Sequence, residues 1–181
     1  MKDFQKNFYV PAGQLETAQI SGKLSVDYEL RVGDILTVRS NGNKQLIGRC
    51  ILASEVPEKT SHSGFTIRIR TASKEVTPAY LIHFLKSKAS REMLIESGDG
   101  ANIASLNQQA LSALPVTLPP IADQLAITDK IESIATAIKN LEIVYRRKLN
   151  HLEELKQSIL RKAFSGELTA HPAQSLPEAA D

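Results

Sequence analysis

The chain has no tryptophan and a single cysteine, Cys50, and only 5% of its 181 residues are aromatic. One cysteine excludes an intramolecular disulfide framework and suits a reducing compartment. No apolar run approaches the roughly 18 residues that a membrane span needs, and Met1-Lys2-Asp3-Phe4-Gln5 does not open a signal peptide. A cytoplasmic protein with no membrane partner is therefore expected. Charge of one sign is also lacking: 22 Lys and Arg stand against 20 Asp and Glu. The global balance thus announces no nucleic-acid binder, although residues 1–118 carry a net +3, residues 119–166 a net +2 and the tail from Glu167 a net −3.

The signatures of catalysis are missing as well. There is no glycine-rich phosphate loop and no G-x-S-x-G elbow. His62, His83, His151 and His171 are scattered without metal-ligand spacing. Cys50 lies in an apolar run, where a cysteine is usually a small core residue. Glu154-Leu155-Lys156 has a nuclease-like spacing, but on a helix and without an acidic partner strand. No catalytic residue, metal or cofactor is expected.

With 42% hydrophobic residues the chain can bury a core. The first thirty residues are weakly patterned and broken by Pro11, Gly13 and Gly22. Clear order starts at Tyr28–Val32, followed by a Gly33-Asp34 turn and the strand Ile35–Val38. Ser40-Asn41-Gly42-Asn43 is strong turn chemistry, since Asn and Gly tolerate positive φ. A strand resuming over Leu46–Leu52 makes this a hairpin with a long polar loop. Phe65–Arg70 alternates apolar and polar residues, which predicts a half-buried strand with Arg68 and Arg70 on its outward face.

At Thr77-Pro78 the period becomes helical, with Thr as cap and Pro in the first turn. Tyr80, Leu81, Phe84 and Leu85 form its apolar stripe. Further helices are predicted over Ser90–Ser97, stopped by Gly98-Asp99-Gly100, and over Asn107–Ala113. Leu114–Leu118 is extended. Residues 1–118 read as a mixed α+β domain. From Ile121 to about Phe164 the chain holds neither Gly nor Pro, which predicts one helix of roughly 65 Å. Residues 167–181, with Pro172 and Pro177, are expected to be a disordered tail.

The long helix carries a heptad seam: Ile127, Ile131, Ile134, Ile138, Leu141, Tyr145, Lys148, Leu152, Leu155 and Ile159 follow in steps of four and three, and only Lys148 is polar. Such a seam calls for a partner helix; folding back onto its own domain is the alternative. Residues 123–143 have net charge −2 and residues 144–164 net +4. The seam is nearly symmetric about Tyr145, with Ile131 mirroring Ile159 and Ile138 mirroring Leu152. Charge and symmetry together predict an antiparallel partner, a second copy when the chain is alone.

The hairpin loop contains Arg39, Ser40, Asn41, Asn43, Lys44 and Gln45. Arg, Asn and Gln hydrogen-bond base edges in pairs, and Lys or Ser can hold phosphates. A second loop offers Lys59, Ser61 and His62, and Arg68 and Arg70 add charge to a sheet face. Ordinary solvated loops have the same composition.

Two stretches carry a resemblance. Leu114-Pro-Val-Thr-Leu-Pro-Pro-Ile-Ala-Asp-Gln-Leu-Ala-Ile127, and Leu155-Lys-Gln-Ser-Ile-Leu-Arg-Lys-Ala-Phe-Ser-Gly-Glu-Leu168 at the far end of the helix, resemble the specificity subunit of type I restriction–modification systems. Its recognition domains end in an "LPP…EQ" junction followed by a spacer helix; here Asp123 replaces the usual Glu. Gly33-Asp-Ile-Leu, Arg39-Ser-Asn-Gly, Ile47-Gly-Arg and Gly100-Ala-Asn-Ile-Ala-Ser-Leu-Asn107 resemble that recognition domain more loosely. The resemblance implies a non-catalytic subunit: a DNA target-recognition domain (1–118) that reads half of a bipartite double-stranded target, and a spacer helix (119–166). Methyltransferase subunits that carry the S-adenosylmethionine chemistry would dock near the helix, with restriction subunits as further partners. One domain and one helix make the chain a C-terminal half or a half-subunit. A coiled-coil scaffold with no sequence-specific DNA binding is the rival reading, and it predicts no sequence-dependent DNA affinity.

Overall fold

The computed structural model describes residues 3–96, 105, 106 and 108–168. Two compact units divide it, Met1–Lys130 and Ile131–Asp181. The first ten residues of the long helix thus belong to the first unit.

The first unit is built on a three-stranded sheet of order β2-β1-β3, formed by β1 (Ile35–Val38), β2 (Cys50–Leu52) and β3 (Thr66–Ile69). Both pairings are antiparallel, with Leu36 opposite Ile51 and Arg68. All four residues of β1 are buried, the polar Thr37 among them, as befits the central strand of the sheet. The two-residue period sorts the side chains onto two faces. Leu36, Val38 and Ile51 pack with Phe4, Val10, Leu30, Leu46 and Ala53 on one face. Ile35, Cys50 and Leu52 pack with Leu81, Ile82 and Leu85 on the other. Those last three belong to α2 (Pro78–Lys86), whose N-cap Thr77 accepts from the Tyr80 amide at 3.2 Å with Pro78 in the first turn. The weakly patterned N-terminus contributes a short helix, α1 (Asp3–Lys6), and residues that pair with the free side of β2: the Leu52 amide donates to the Phe8 carbonyl and the Val10 amide to the Leu52 carbonyl, each at 2.9 Å.

The hairpin of β1 and β2 is present, but β2 is shorter than the predicted Leu46–Leu52. Residues Lys44–Leu46 form a 3-10 turn, started by the Asn43 carboxamide accepting from the Gln45 amide. Gly48 then adopts φ +72°, with Leu94 at 3.6 Å from where a Cβ would stand, so ladder pairing resumes only at Cys50. Of the predicted Tyr28–Val32, Tyr28 ends a 3-10 turn at Val26–Tyr28 and residues 29–32 are irregular, because their polar groups are taken elsewhere. The Leu30 amide donates to the Thr60 carbonyl and the Arg31 amide to the Asp34 carboxylate.

The remaining helices are α3 (Lys88–Glu96), α4 (Gln108–Ser112) and α5 (Ile121–Phe164). The architecture is α+β with a 44-residue terminal helix. The predicted stop at Gly98–Gly100, most of Gly100–Asn107 and residues 169–181 of the expected tail lie outside the described residues. Among the described residues no helix is long and apolar enough to cross a membrane.

Of the 44 residues of α5 only Gln124 and Thr128 are buried. The Gln124 carboxamide, 0% exposed, accepts from the Thr77 amide at 2.9 Å and the Thr77 hydroxyl at 3.4 Å. It donates to the carbonyls of Glu75 at 2.7 Å and Pro119 at 2.8 Å. One turn on, the Thr128 hydroxyl donates to the Gln124 carbonyl at 2.8 Å. The bonds of Gln124 to Thr77 and Glu75 thus hold the first turn of the helix to its unit, whereas the Thr128 bond is internal to the helix.

In the second unit, every residue from Ile131 to Gln157 is exposed. The helix is α-helical to Phe164, with a turn at 165–168 where Gly166 has φ +81°.

Candidate nucleic-acid interface

The polar loop leaves β1 at Arg39. The amides of Arg39 and Ser40 both donate to the Phe65 carbonyl, at 2.8 and 3.3 Å, and the Arg39 carbonyl accepts from the Leu106 amide at 2.6 Å. Ser40 also pairs with Ser105. Side chains shape the loop from within. Asn41 Oδ1 accepts from the Asn43 amide and Asn43 Oδ1 from the Gln45 amide, each at 2.9 Å. These are two consecutive Asx turns. The Gln45 carbonyl accepts from Arg49 Nε at 3.1 Å and from the Arg91 guanidinium at 2.9 Å, which fixes the far end. Arg39, Asn43, Lys44 and Gln45 are exposed, and Asn41 is half-buried. An amide oxygen keeps a second lone pair after one bond, and both amide hydrogens remain to donate, so a fixed loop of this kind can still read a base edge.

The second loop adjoins the first through Phe65. Lys59 is exposed and adopts φ 57°, a strained value for a side-chain-bearing residue. Ser61 Oγ donates to the Tyr28 carbonyl at 2.9 Å, and His62 Nδ1 lies 3.0 Å from Thr66 Oγ1. Phe65 itself is 62% exposed. The sequence reading left it out of the site. The available signal was an aromatic residue placed directly after the turn residues Ser63-Gly64.

Arg68 and Arg70 are engaged elsewhere. The Arg68 guanidinium donates to the carbonyls of Asp27 at 2.6 Å and Glu29 at 3.0 Å. Arg70 holds both oxygens of Asp34 at 2.6 Å in a two-pronged ion pair, and also the Glu29 carbonyl at 3.0 Å. Asp34 is 1% exposed. Burial pushes its carboxyl up, but the bonds from Arg70 and the Arg31 amide, with the charges of Arg70 and Arg68, outweigh that and hold it below the usual carboxylate range. The two arginines thus tie residues 27–34 to the sheet.

Cys50 is buried, and burial pushes its thiol up to about 11, far from the range of a nucleophile. His83 lies 4.8 Å from the Phe8 ring. Among the described residues no cluster of three His, Cys, Asp or Glu could hold a metal.

Along α5 the seam residues Ile127, Ile131, Ile134, Ile138, Leu141, Tyr145, Leu152, Leu155 and Ile159 are all open to solvent, from 37% exposed at Ile131 to 61% at Tyr145 and Leu152. Leu149, four residues after Tyr145 and three before Leu152, widens the same stripe. The heptad count passed over it in favour of Lys148, whose ammonium lies 5.8 Å from the Tyr145 ring.

No protein-family model matches the chain. It is similar to the type I restriction enzyme StySPI specificity subunit of Salmonella potsdam, with 30% identity over 159 residues, 87% of this chain and 34% of that protein. The EcoKI specificity subunit of Escherichia coli (strain K12) is 29% identical over 147 residues, 79% of this chain and 31% of that protein. Among solved structures, the HsdS subunit from Thermoanaerobacter tengcongensis shares the fold with a TM-score of 0.55 at 19% identity, over 82% of this chain and 36% of that one. The chain spans about a third of the length of these relatives. Over the residues matched, the chain is similar to the specificity subunits of type I restriction enzymes and shares the fold of one of them.

Proposed function

We propose that residues up to about 118 read one half of a bipartite double-stranded DNA target, and that α5 pairs antiparallel with a second spacer helix. That helix comes from another half of a longer subunit or from a second copy of this chain. Methyltransferase subunits dock near the paired helices and supply the S-adenosylmethionine chemistry. The observation that carries this reading is the apolar seam of α5, exposed along its length, in a chain matched over 87% of its residues by a specificity subunit. Bases are read by Arg39, Asn41, Lys44 and Gln45, with phosphates held by Ser40 and Lys59, while Ser61 stays committed to the Tyr28 carbonyl. Arg68 and Arg70, committed to residues 27–34, position the surface they belong to.

Co-expression with the methyltransferase subunit of the same system should yield a stable complex, and mapping of modified genomic sites should give a two-part motif. A complex that modifies a single continuous motif, or none, rejects the proposal. In that complex Arg39→Ala and Asn41→Ala should each cost about 1–3 kcal/mol of base discrimination at one position; Arg39→Ala should leave the melting temperature unchanged, whereas Asn41→Ala, which also loses the bond from the Asn43 amide, should lower it slightly. Unchanged motifs would move the reading residues to the 59–63 loop.

The isolated chain should bind duplex DNA weakly and with steep salt dependence, because phosphate contacts supply most of a lone reader's affinity. Titrations that superimpose at about 50 and 200 mM salt would count against it.

A further inference from the structure

We infer that Phe65 reads the methyl group of a thymine in the half-site; the inference rests on the DNA reading above and adds an apolar contact to it. Of the four phenylalanines before residue 131, Phe4 is buried and Phe8 and Phe84 pack against the core, whereas Phe65 is 62% exposed. Its backbone is held on both sides. The Phe65 amide donates to Ser63 Oγ at 3.2 Å, and its carbonyl accepts from the Arg39 and Ser40 amides at 2.8 and 3.3 Å. The turn beside it is closed by the Thr66 amide and hydroxyl, which donate to the Ser63 carbonyl at 3.0 and 2.7 Å. A fixed turn thus presents the ring, and docking it costs little further ordering. Gly64 has nothing within 4 Å of where a Cβ would stand, so the approach beside the ring is open.

The neighbours of the ring indicate what it meets. Val38 stands opposite Thr66 in the ladder of β1 and β3, and one step further the register sets Arg39 against Phe65. Opposed residues share a face, with Cβ atoms about 5 Å apart. An apolar ring is thereby placed beside an exposed guanidinium at the start of the polar loop. The polar groups of that loop suit the donors and acceptors of base edges. A phenyl ring suits neither those nor a phosphate. The apolar mark on a base edge is the C5-methyl group of thymine, which projects into the major groove. Ring and guanidinium side by side can therefore read an apolar and a polar mark on neighbouring base pairs, which lie about 3.4 Å apart along the duplex.

The experiment uses the full chain in complex with its methyltransferase subunits, and duplexes carrying the mapped motif. Each thymine in turn is replaced by uracil, which lacks only the methyl group and keeps the same hydrogen-bonding edge. One replacement within one half of the motif should weaken wild-type binding about fourfold, the worth of one buried methyl group. Phe65→Ala should bind the natural duplex about tenfold more weakly and be indifferent to that replacement. Phe65→Leu, which keeps an apolar contact, should retain part of the sensitivity. Neither variant should change the melting temperature, because the ring is exposed and the bonds of Phe65 are made by its backbone. A motif with no thymine on either strand, or a wild-type complex indifferent to every uracil, would overturn the inference without any variant. So would a uracil penalty that survives in Phe65→Ala. A Phe65→Ala chain that no longer assembles with the methyltransferase subunits would overturn it too, and make the ring a subunit contact. A wild-type complex with no sequence preference at all would instead overturn the DNA reading, so the two failures are distinguishable.

Discussion

Arg70→Met is expected to destabilise the first unit by about 2–4 kcal/mol at neutral pH, one of the largest effects available to a single substitution in the chain. Asp34 is 1% exposed and Arg70 grips both of its oxygens. Removing the guanidinium strands a buried carboxylate, with the Arg31 amide as its remaining hydrogen-bond donor. The estimate sits below that for a fully sequestered pair because the Arg70 side chain is 32% exposed, and water can partly replace it. The pH dependence gives an independent check. In the wild type the folded carboxyl titrates below its ordinary value, so its contribution is fully present above about pH 4, the unfolded value. It is lost as pH falls through the depressed folded value. In Arg70→Met the bonds and charge of Arg70 no longer oppose burial, so the folded carboxyl titrates above its wild-type value. The penalty is then largest at neutral pH and is relieved on acidification. Urea unfolding at pH 7 and at about pH 4.5 should show the gap between the two proteins narrowing. A gap under about 1 kcal/mol at pH 7, or one that widens in acid, would show that the pair is dispensable.

The second large effect concerns the seam. Ile138→Glu should weaken self-association of the chain by at least about a hundredfold in Kd, since a carboxylate buried in an apolar interface costs several kcal/mol per ion. An antiparallel dimer contains the site twice. The monomer should be untouched, because Ile138 is 51% exposed and circular dichroism should report an unchanged helix. The antiparallel arrangement sets residue 138 against residue 152 of the other copy, with Tyr145 near the two-fold axis. Mixing Ile138→Glu with Leu152→Lys should therefore restore association that neither variant shows alone, by placing opposite charges face to face. In a parallel pair, residue 138 would meet 138 and residue 152 would meet 152, and mixing would leave each charge against an apolar residue, without the opposite-charge pairing that returns association to strength. Sedimentation of the separate and mixed variants decides between them. A wild-type chain that stays monomeric at high micromolar concentration would remove the basis for both arrangements.

Much of the fold was legible in local pattern. The β-branched and apolar strand Ile35–Val38, the helix from Pro78 and the Gly- and Pro-free stretch 121–164 each follow from period and propensity, which are properties of neighbouring residues. So is the resemblance at the junction and at the end of the helix, and with it the similarity to specificity subunits. The candidate site was less legible. The loop residues were nameable by type, but the sequence could not say that Asn41 and Asn43 each spend an oxygen on their own backbone. Nor could it say that Phe65, twenty-six residues after Arg39, anchors the start of the same loop. Arg68 and Arg70 looked like free charge on an alternating strand. Only the placement of Asp34 and of the carbonyls at residues 27 and 29 shows where those guanidiniums go. Gln124 was read as one letter of a junction motif, and its side chain finds its partners at Glu75 and Thr77, 49 and 47 residues away. The division has one physical cause. Periodicity and chain stiffness act over a few residues and are written in their order, whereas a buried polar group finds its partners across the fold, at distances that only folding closes.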